Sequence, residues 1–331
     1  MKTTRRILTI VCAVLMAFSL TSLFAGCGAK KETVLIYTSS EDFKIEHMTK
    51  CLNEKFPEYE IVIEYMSTGN HAAKLLAEGK STECDITHDM DYGYLFQLDA
   101  EGILANLSSY DKSVYVEDTN LSENYIIELR NGGAIIVNTD VLKAKGLSEP
   151  TSYADLLKPE YKNLISMPNP KASGTGYMFL KSLVNAWGED EAYKYFDDLT
   201  ENVLAYTSSG SGPVKALIQE EAAIGLGMIA QAVTEINNGA PLKILFFEEG
   251  APYTLYGQSI ISGKETRESV KSVFDYLINE YNYENNEKFF PEKIYKDKDY
   301  VVENYPVNIK YADMSNNTFE EKNRLLDKWK Y

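Results

Sequence analysis

Short apolar runs that end in hydroxyl- and glycine-rich loops, alternating with segments of helical spacing, constrain this chain more than any other feature. Val34-Leu35-Ile36-Tyr37 runs into Thr38-Ser39-Ser40, and Ile61-Val62-Ile63-Glu64-Tyr65 runs into Ser67-Thr68-Gly69-Asn70. Apolar runs of this length bounded by turn residues predict buried strands. Between them Ile45, Met48, Leu52 and Phe56 recur at helical spacing and stop before Pro57, which cannot continue a helix. A helix through Ala72, Leu75 and Leu76, a short strand at Asp85-Ile86-Thr87 and a helix over 94–101 ending near Gly102 continue the series. Strands alternating with helices predict an open, largely parallel α/β sheet.

The series restarts at Gly132-Gly133, where Ala134-Ile135-Ile136-Val137 predicts a further strand. Leu164-Ile165-Ser166-Met167-Pro168 and Ala223-Ile224-Gly225-Leu226-Gly227 follow as strands, and a second crossing is placed at Glu248-Glu249-Gly250. Helices are expected over 270–279 and 319–329. A chain that leaves one lobe, builds another and returns predicts two lobes joined by hinge strands, able to close on a ligand. The expected division is a leader over 1–26, a tether over 27–32, the first lobe over 33–131, the second over 132–249, and a return over 250–331 with C-terminal helices.

The leader has its own logic. Lys2, Arg5 and Arg6 precede an apolar run over 7–24, short for a membrane span and followed by small residues, as in a secretory signal. Phe24-Ala25-Gly26-Cys27 resembles the bacterial lipobox, with Phe24 standing where Leu is usual. That resemblance implies cleavage before Cys27, a diacylglyceryl group on its sulfur, and a protein held by lipid on the extracytoplasmic face of the cell membrane. Plain cleavage with an unmodified Cys27, and an uncleaved signal anchor, are the competing readings. Cys51 and Cys84 leave two possibilities open, one disulfide or two buried free thiols. The 331-residue chain carries a net charge of −16, and its basic leader leaves the remainder more acidic still. Such a surface repels nucleic acid but does not forbid a small anion in a local pocket.

The loops at the strand ends carry the candidate chemistry. Ser173-Gly174-Thr175-Gly176 precedes a helix, so hydroxyls and unsatisfied backbone N–H groups converge where an anion is stabilised; simple capping by Ser173 or Thr175 is the alternative. Ser39, Ser40, Ser67, Thr68 and Ser209 stand in equivalent loops, and ligands of open α/β sheets bind at the carboxyl ends of strands. In Thr87-His88-Asp89-Met90-Asp91-Tyr92 the two aspartates suit an ammonium group and His88 a hydrogen bond, or the stretch is a solvated loop that caps the next helix. An anion subsite facing an acidic patch would suit an aminophosphonate or a sugar phosphate. Tyr253 and Tyr256, after the second crossing, are candidate lids. His47, His71 and His88 form no HExxH spacing, and neither GxSxG nor GxxxxGK[ST] occurs. No catalytic residue, resident metal or cofactor is assigned.

With the anchor, the segments "VLIYTSS", "STGNHAAKLLAEG", "CDITHDMDYGYLFQLDAEGIL", "GGAIIVNTD", "NPKASGTGY" and "GLGMIAQAV" occur in this order. In that order they resemble the solute-binding lipoproteins of bacterial ABC importers, in the branch of ferric-iron, 2-aminoethylphosphonate, sugar-phosphate, thiamine and polyamine binders. The resemblance implies a two-lobed type II periplasmic-binding-protein fold with an interlobe ligand cleft. It also implies a monomer, with an ABC permease and its ATPase as partners. Iron binders of this branch place two tyrosines after the "aiGl" strand; here Met228 and its neighbours offer none, so a tyrosine-type ferric site is not expected. A phosphonate or sugar-phosphate solute is the leading expectation. Fe(III) with a synergistic anion, a polyamine or thiamine stays open, as does a surface-anchored hydrolase or adhesin of another class.

Overall fold

β1 (Thr33–Thr38) pairs in parallel with β2 (Glu60–Tyr65) and β3 (Ile86–Asp91), and the connecting helices are α1 (Asp42–Lys55) and α2 (Thr68–Glu78). The apolar run on β1 explains its position, since Val34 and Ile36 are fully buried, each worth about 1.5–3 kcal/mol of transfer free energy. α1 presents Lys44, Met48 and Leu52 inward, and its last turn closes with Phe56 N–H donating to Leu52 O ahead of Pro57. After α3 (Tyr92–Ala100) comes the long strand β4 (Ile126–Asn138). The computed structural model describes residues 31–119 and 121–331; the leader and Cys27 lie outside the described residues.

The second half is built from α4 (Thr139–Ala144), β5 (Ile165–Pro168), α5 (Gly174–Trp187), α6 (Glu189–Leu199), β6 (Val203–Thr207) and α7 (Gly212–Ile218). It continues through β7 (Ile224–Met228), α8 (Ile229–Asn237) and β8 (Leu242–Leu245). β9 (Tyr253–Ile260) returns to the first half, followed by α9 (Glu268–Tyr276), α10 (Asn282–Phe289) and α11 (Phe319–Lys328). The strand order is β2-β1-β3-β9-β4-β7-β5-β6, with β8 on β4.

The sheet is mixed rather than largely parallel. Its outer pairs are parallel, but every pair made by β4 or β9 is antiparallel. These are the strands at the crossings, and one that leads the chain back across the molecule runs against its neighbours. β4 changes partner within one step: Gly132 lies opposite Tyr253 on β9, and Gly133 opposite Met228 on β7. A Cβ on Gly133 would stand 2.6 Å from Met178 and 3.0 Å from Phe179. The glycine pair therefore lets α5 approach the strand where it passes between half-sheets.

Each half has its own core, Val34, Ile36, Leu75, Leu95 and Phe274 among others in the first, and Phe179, Leu183, Phe196 and Ile224 in the second. α11 packs with the second core through Leu325, Leu326 and Trp329, whose indole meets Phe196 edge-on at 5.3 Å. The chain thus crosses between halves a third time after β9. Cys84 is buried and Cys51 half-buried, and both are free thiols, so the disulfide reading does not hold. Cys84 instead donates to Ile86 O at 3.2 Å. Among the described residues, no helix is long and apolar enough to cross a membrane.

Candidate functional site

The carboxyl ends of β1, β2, β3 and β7 and the amino ends of α2 and α5 line a narrow cleft between the two halves. Its first wall carries Ser39, Ser40, Glu41, Tyr65, Ser67, Thr68 and Asp89, and its second Ser173, Gly174, Thr175, Gly210, Ser211 and Met228. Tyr256 of β9 closes the floor. The walls touch: a Cβ on Gly69 would meet Lys171 O at 3.1 Å, and one on Gly174 would meet Tyr256 Oη at 3.2 Å and Thr68 Cγ2 at 3.3 Å.

Two helices aim their amino ends at this space. Ser173 caps α5 by accepting from Gly176 N–H. Ser67 occupies the equivalent position on α2 but makes no capping bond, and its buried hydroxyl has no protein partner. A buried hydroxyl without a partner costs free energy unless something else satisfies it. Together with the helix dipoles these groups form a neutral, donor-rich surface. Met228 Sδ accepts from Asn131 Nδ2 at 3.0 Å, which fixes the thioether at the end of β7.

The charged groups of the first wall are largely paired among themselves. Lys44, almost fully buried, contacts both Asp89 and Glu41. Burial alone would lower the lysine's pKa, but the two carboxylates outweigh it and raise it. Burial pushes Asp89 up, yet Lys44, His88 and a 2.6 Å hydrogen bond from Ser40 Oγ hold it below its ordinary value. Glu41 goes the other way: burial dominates, the Asp89 charge adds to it, and Lys44 does not fully offset them, so its pKa is raised. Both carboxyls are thus held by the one lysine, Glu41 at 2.7 Å, and both line the cavity.

Nine of the twelve residues singled out from sequence line this space, and three do not. His88 does not reach it. Its Nδ1 stands 3.1 Å from Thr38 Oγ1 and its Nε2 3.1 Å from Glu128 Oε2, all buried behind the wall. The stretch read as a loop is strand β3, with every residue from Ile86 to Asp91 buried. A bulge at Asp89, with φ of 51°, turns that carboxylate to the cavity while His88 faces away. Tyr253 also lies elsewhere, against Arg130 and Tyr311. It stands three residues from Tyr256 on one strand, so the two point to opposite faces. Ser209 sits just beyond the lining, its Oγ 3.1 Å from that of Ser211.

Asp91 is neither a cavity group nor solvated. It caps α3 by accepting from Gly93 N–H at 3.1 Å, and it also accepts from Lys322 at 2.8 Å and Thr254 at 2.7 Å. Lys44 and Tyr65, with Glu41, are among the residues that sequence reasoning passed over. A lysine in register with Met48 and Leu52 on the apolar stripe of α1 is the signal for the first. The second simply ends the strand Ile61-Val62-Ile63-Glu64-Tyr65.

An uncharacterized protein of Haemophilus influenzae is 28% identical over 268 residues, 77% of this chain and 75% of that protein. The spermidine/putrescine-binding periplasmic protein 1 of the same organism is 25% identical over 268 residues, 76% of this chain and 72% of that one. The periplasmic binding protein AfuA from Actinobacillus pleuropneumoniae, solved with fructose-6-phosphate bound, superposes with a TM-score of 0.80 at 24% identity. That superposition covers 90% of this chain and 98% of the other, and it establishes the two-lobed type II periplasmic-binding-protein fold. Residues 85–318, from the start of β3 to the edge of α11, match the family of bacterial extracellular solute-binding proteins, and the chain belongs to that family.

Proposed function

We propose that this protein captures a small solute bearing a phosphate or phosphonate group between its lobes and delivers it to an ABC permease driven by its ATPase. One observation carries the solute class: the amino ends of α2 and α5, from opposite walls, face one cavity, with the Ser67 hydroxyl buried there and unpartnered. Backbone N–H groups and hydroxyls of Ser39, Thr68, Ser173, Thr175 and Ser211 would surround the anion, so it needs no lysine or arginine. Glu41 would accept a hydrogen bond from a hydroxyl or ammonium group on the rest of the solute. AfuA, of like fold, holds fructose-6-phosphate, which agrees with this reading.

A polyamine fits less well. The two aspartates that sequence offers to ammonium groups are occupied, Asp89 by Lys44 and Ser40, and Asp91 by Lys322 and Thr254. Ferric iron fits less well too. The cavity phenols, Tyr65 and Tyr256, have pKa values raised chiefly by burial, whereas Fe(III) favours phenolates. We further place the first lobe at 33–131 with the return over 250–331, whose last helix α11 reaches across to pack on the second lobe, 132–249. Cys27 carries the lipid anchor after removal of residues 1–26, and the protein works as a monomer.

Residues 28–331 hold every described element and serve for the test. Isothermal titration and thermal shift against fructose-6-phosphate, 2-aminoethylphosphonate, spermidine, thiamine and ferric citrate should give binding to a phosphate- or phosphonate-bearing compound. The ligand should be recovered unchanged. Ser173→Ala with Thr175→Ala should abolish the shift. Binding of spermidine, thiamine or ferric ion alone would overturn the solute class while leaving the family role intact.

A further inference from the structure

On the outer face of the first half, α1 and α10 bring together three groups that the cleft does not use. His47 and Cys51 stand one helical turn apart and share a face of α1, and Glu284 reaches them from the first turn of α10. Cys51 Sγ lies 3.7 Å from His47 Nδ1 and 3.8 Å from Glu284 Oε2. The three donor atoms all fall within 4.8 Å of one another. A tetrahedral zinc ion, with Zn–S of about 2.3 Å and Zn–N or Zn–O of about 2.0–2.2 Å, sets its ligand atoms roughly 3.5 Å apart. Both sulfur-centred separations are close to that edge length before any side chain moves.

We propose that His47, Cys51 and Glu284 bind one transition-metal ion of the zinc class, with water in the fourth position. The donor set selects the ion: a thiolate and an imidazole favour zinc and its neighbours, whereas calcium and magnesium choose sets of oxygens. The imidazole is held in place by packing, with ring centroids 5.6 Å from Tyr281 and 5.8 Å from Phe289. Access is open, because the triad lines a solvent-facing groove whose other side is formed by Thr234 and Asn238 of the second half. Charge acts in both directions: Lys288 and Lys50 beside His47 oppose a cation, while Glu284 and Glu54 beside Cys51 attract one.

A cysteine ligates a zinc-class ion as its thiolate, not as its thiol. Loading therefore breaks the S–H bond, forms the metal–sulfur bond and releases one proton to solvent. None of the three residues lines the interlobe cavity, so the inference stands apart from the solute reading.

The test uses residues 28–331 freed of metal by chelation. Zinc titrated against a chromophoric chelator should bind at one ion per chain with micromolar or tighter affinity, releasing about one proton per ion. Cobalt(II) should give a near-ultraviolet thiolate-to-metal charge-transfer band. Cys51→Ser should remove the band and weaken zinc binding at least tenfold, and Glu284→Gln, at an exposed position, should weaken it without touching the fold. No zinc binding at tens of micromolar, zinc binding unchanged in Cys51→Ser, or a cobalt band persisting in that variant would each overturn the proposal.

Discussion

The two walls of the interlobe cavity reach similar neutrality by opposite means. The first wall buries charge and cancels it: Lys44 lies between Glu41 and Asp89, and the His71 imidazole is held neutral behind Ser39 and Thr87. The second wall holds no ionisable group among its described lining residues and relies on backbone, hydroxyls and close glycine packing. The contrast teaches where each wall is fragile. Removing one partner from a buried ionic cluster strands the others, so the first wall fails electrostatically. A wall of glycine and serine fails sterically, because the backbone has nowhere to move.

The largest effect should come from Lys44→Met, which leaves Asp89 and Glu41 facing each other in a dry environment. A loss of about 3–5 kcal/mol is expected, measured as a fall in the urea midpoint. Acid should also act on the first wall. Burial, with the nearby His88 charge, lowers the pKa of His71 from 6.5 to about 3. Between those values the unfolded chain binds a proton there that the native chain does not. Stability therefore falls as pH drops through this window, by up to about 1.4 kcal/mol per pH unit. His71→Asn should flatten the melting temperature between pH 6 and 5; an unchanged slope would move the acid sensitivity to other groups.

Gly176→Ala probes the second wall. An added Cβ would collide with Pro168 O and lie 2.8 Å from both Asn169 C and Pro170 N, all backbone atoms. We expect a net loss of about 2 kcal/mol, since overpacking outweighs the roughly 1 kcal/mol that alanine brings to a helix. Ser173→Ala removes the α5 cap and should cost about 1 kcal/mol. Ser67→Ala removes no capping bond and should leave stability within about 0.5 kcal/mol. The solute should nonetheless bind about tenfold more weakly to both serine variants, measured by calorimetry. If Ser67→Ala binds solute normally, the unpartnered hydroxyl is not a ligand contact and the symmetry of the two walls is broken.

Much of this architecture was legible in the residues. Apolar runs at 34–37, 61–65 and 134–137 are strands, and the hydroxyl-rich loops after the first two do line the cavity, because parallel strands deliver their carboxyl ends to one edge. The readings that failed depend on facing. His88 and Asp89 are adjacent, and the bulge that separates their directions leaves no mark in composition. Tyr253 and Tyr256 look equivalent in sequence, yet strand parity sends one into Arg130 and Tyr311 and the other to the cavity floor. Asp91 does cap the next helix, as one of the two readings had it, but its burial was hidden because its other partners, Thr254 and Lys322, lie 163 and 231 residues away.

By itself, then, the sequence determined most helices and the strands with continuous apolar runs, the change at Gly132-Gly133 and the hydroxyl-rich chemistry of the strand ends, because hydrophobic periodicity and turn residues act locally; β6, β9 and the first half of β4 went unread. Only the tertiary structure decided which carboxylates are spent on buried lysines, that α11 ties back to the second core, and that His47, Cys51 and Glu284 converge. Those outcomes rest on pairings between distant segments, whose energies exist only once the chain has closed on itself.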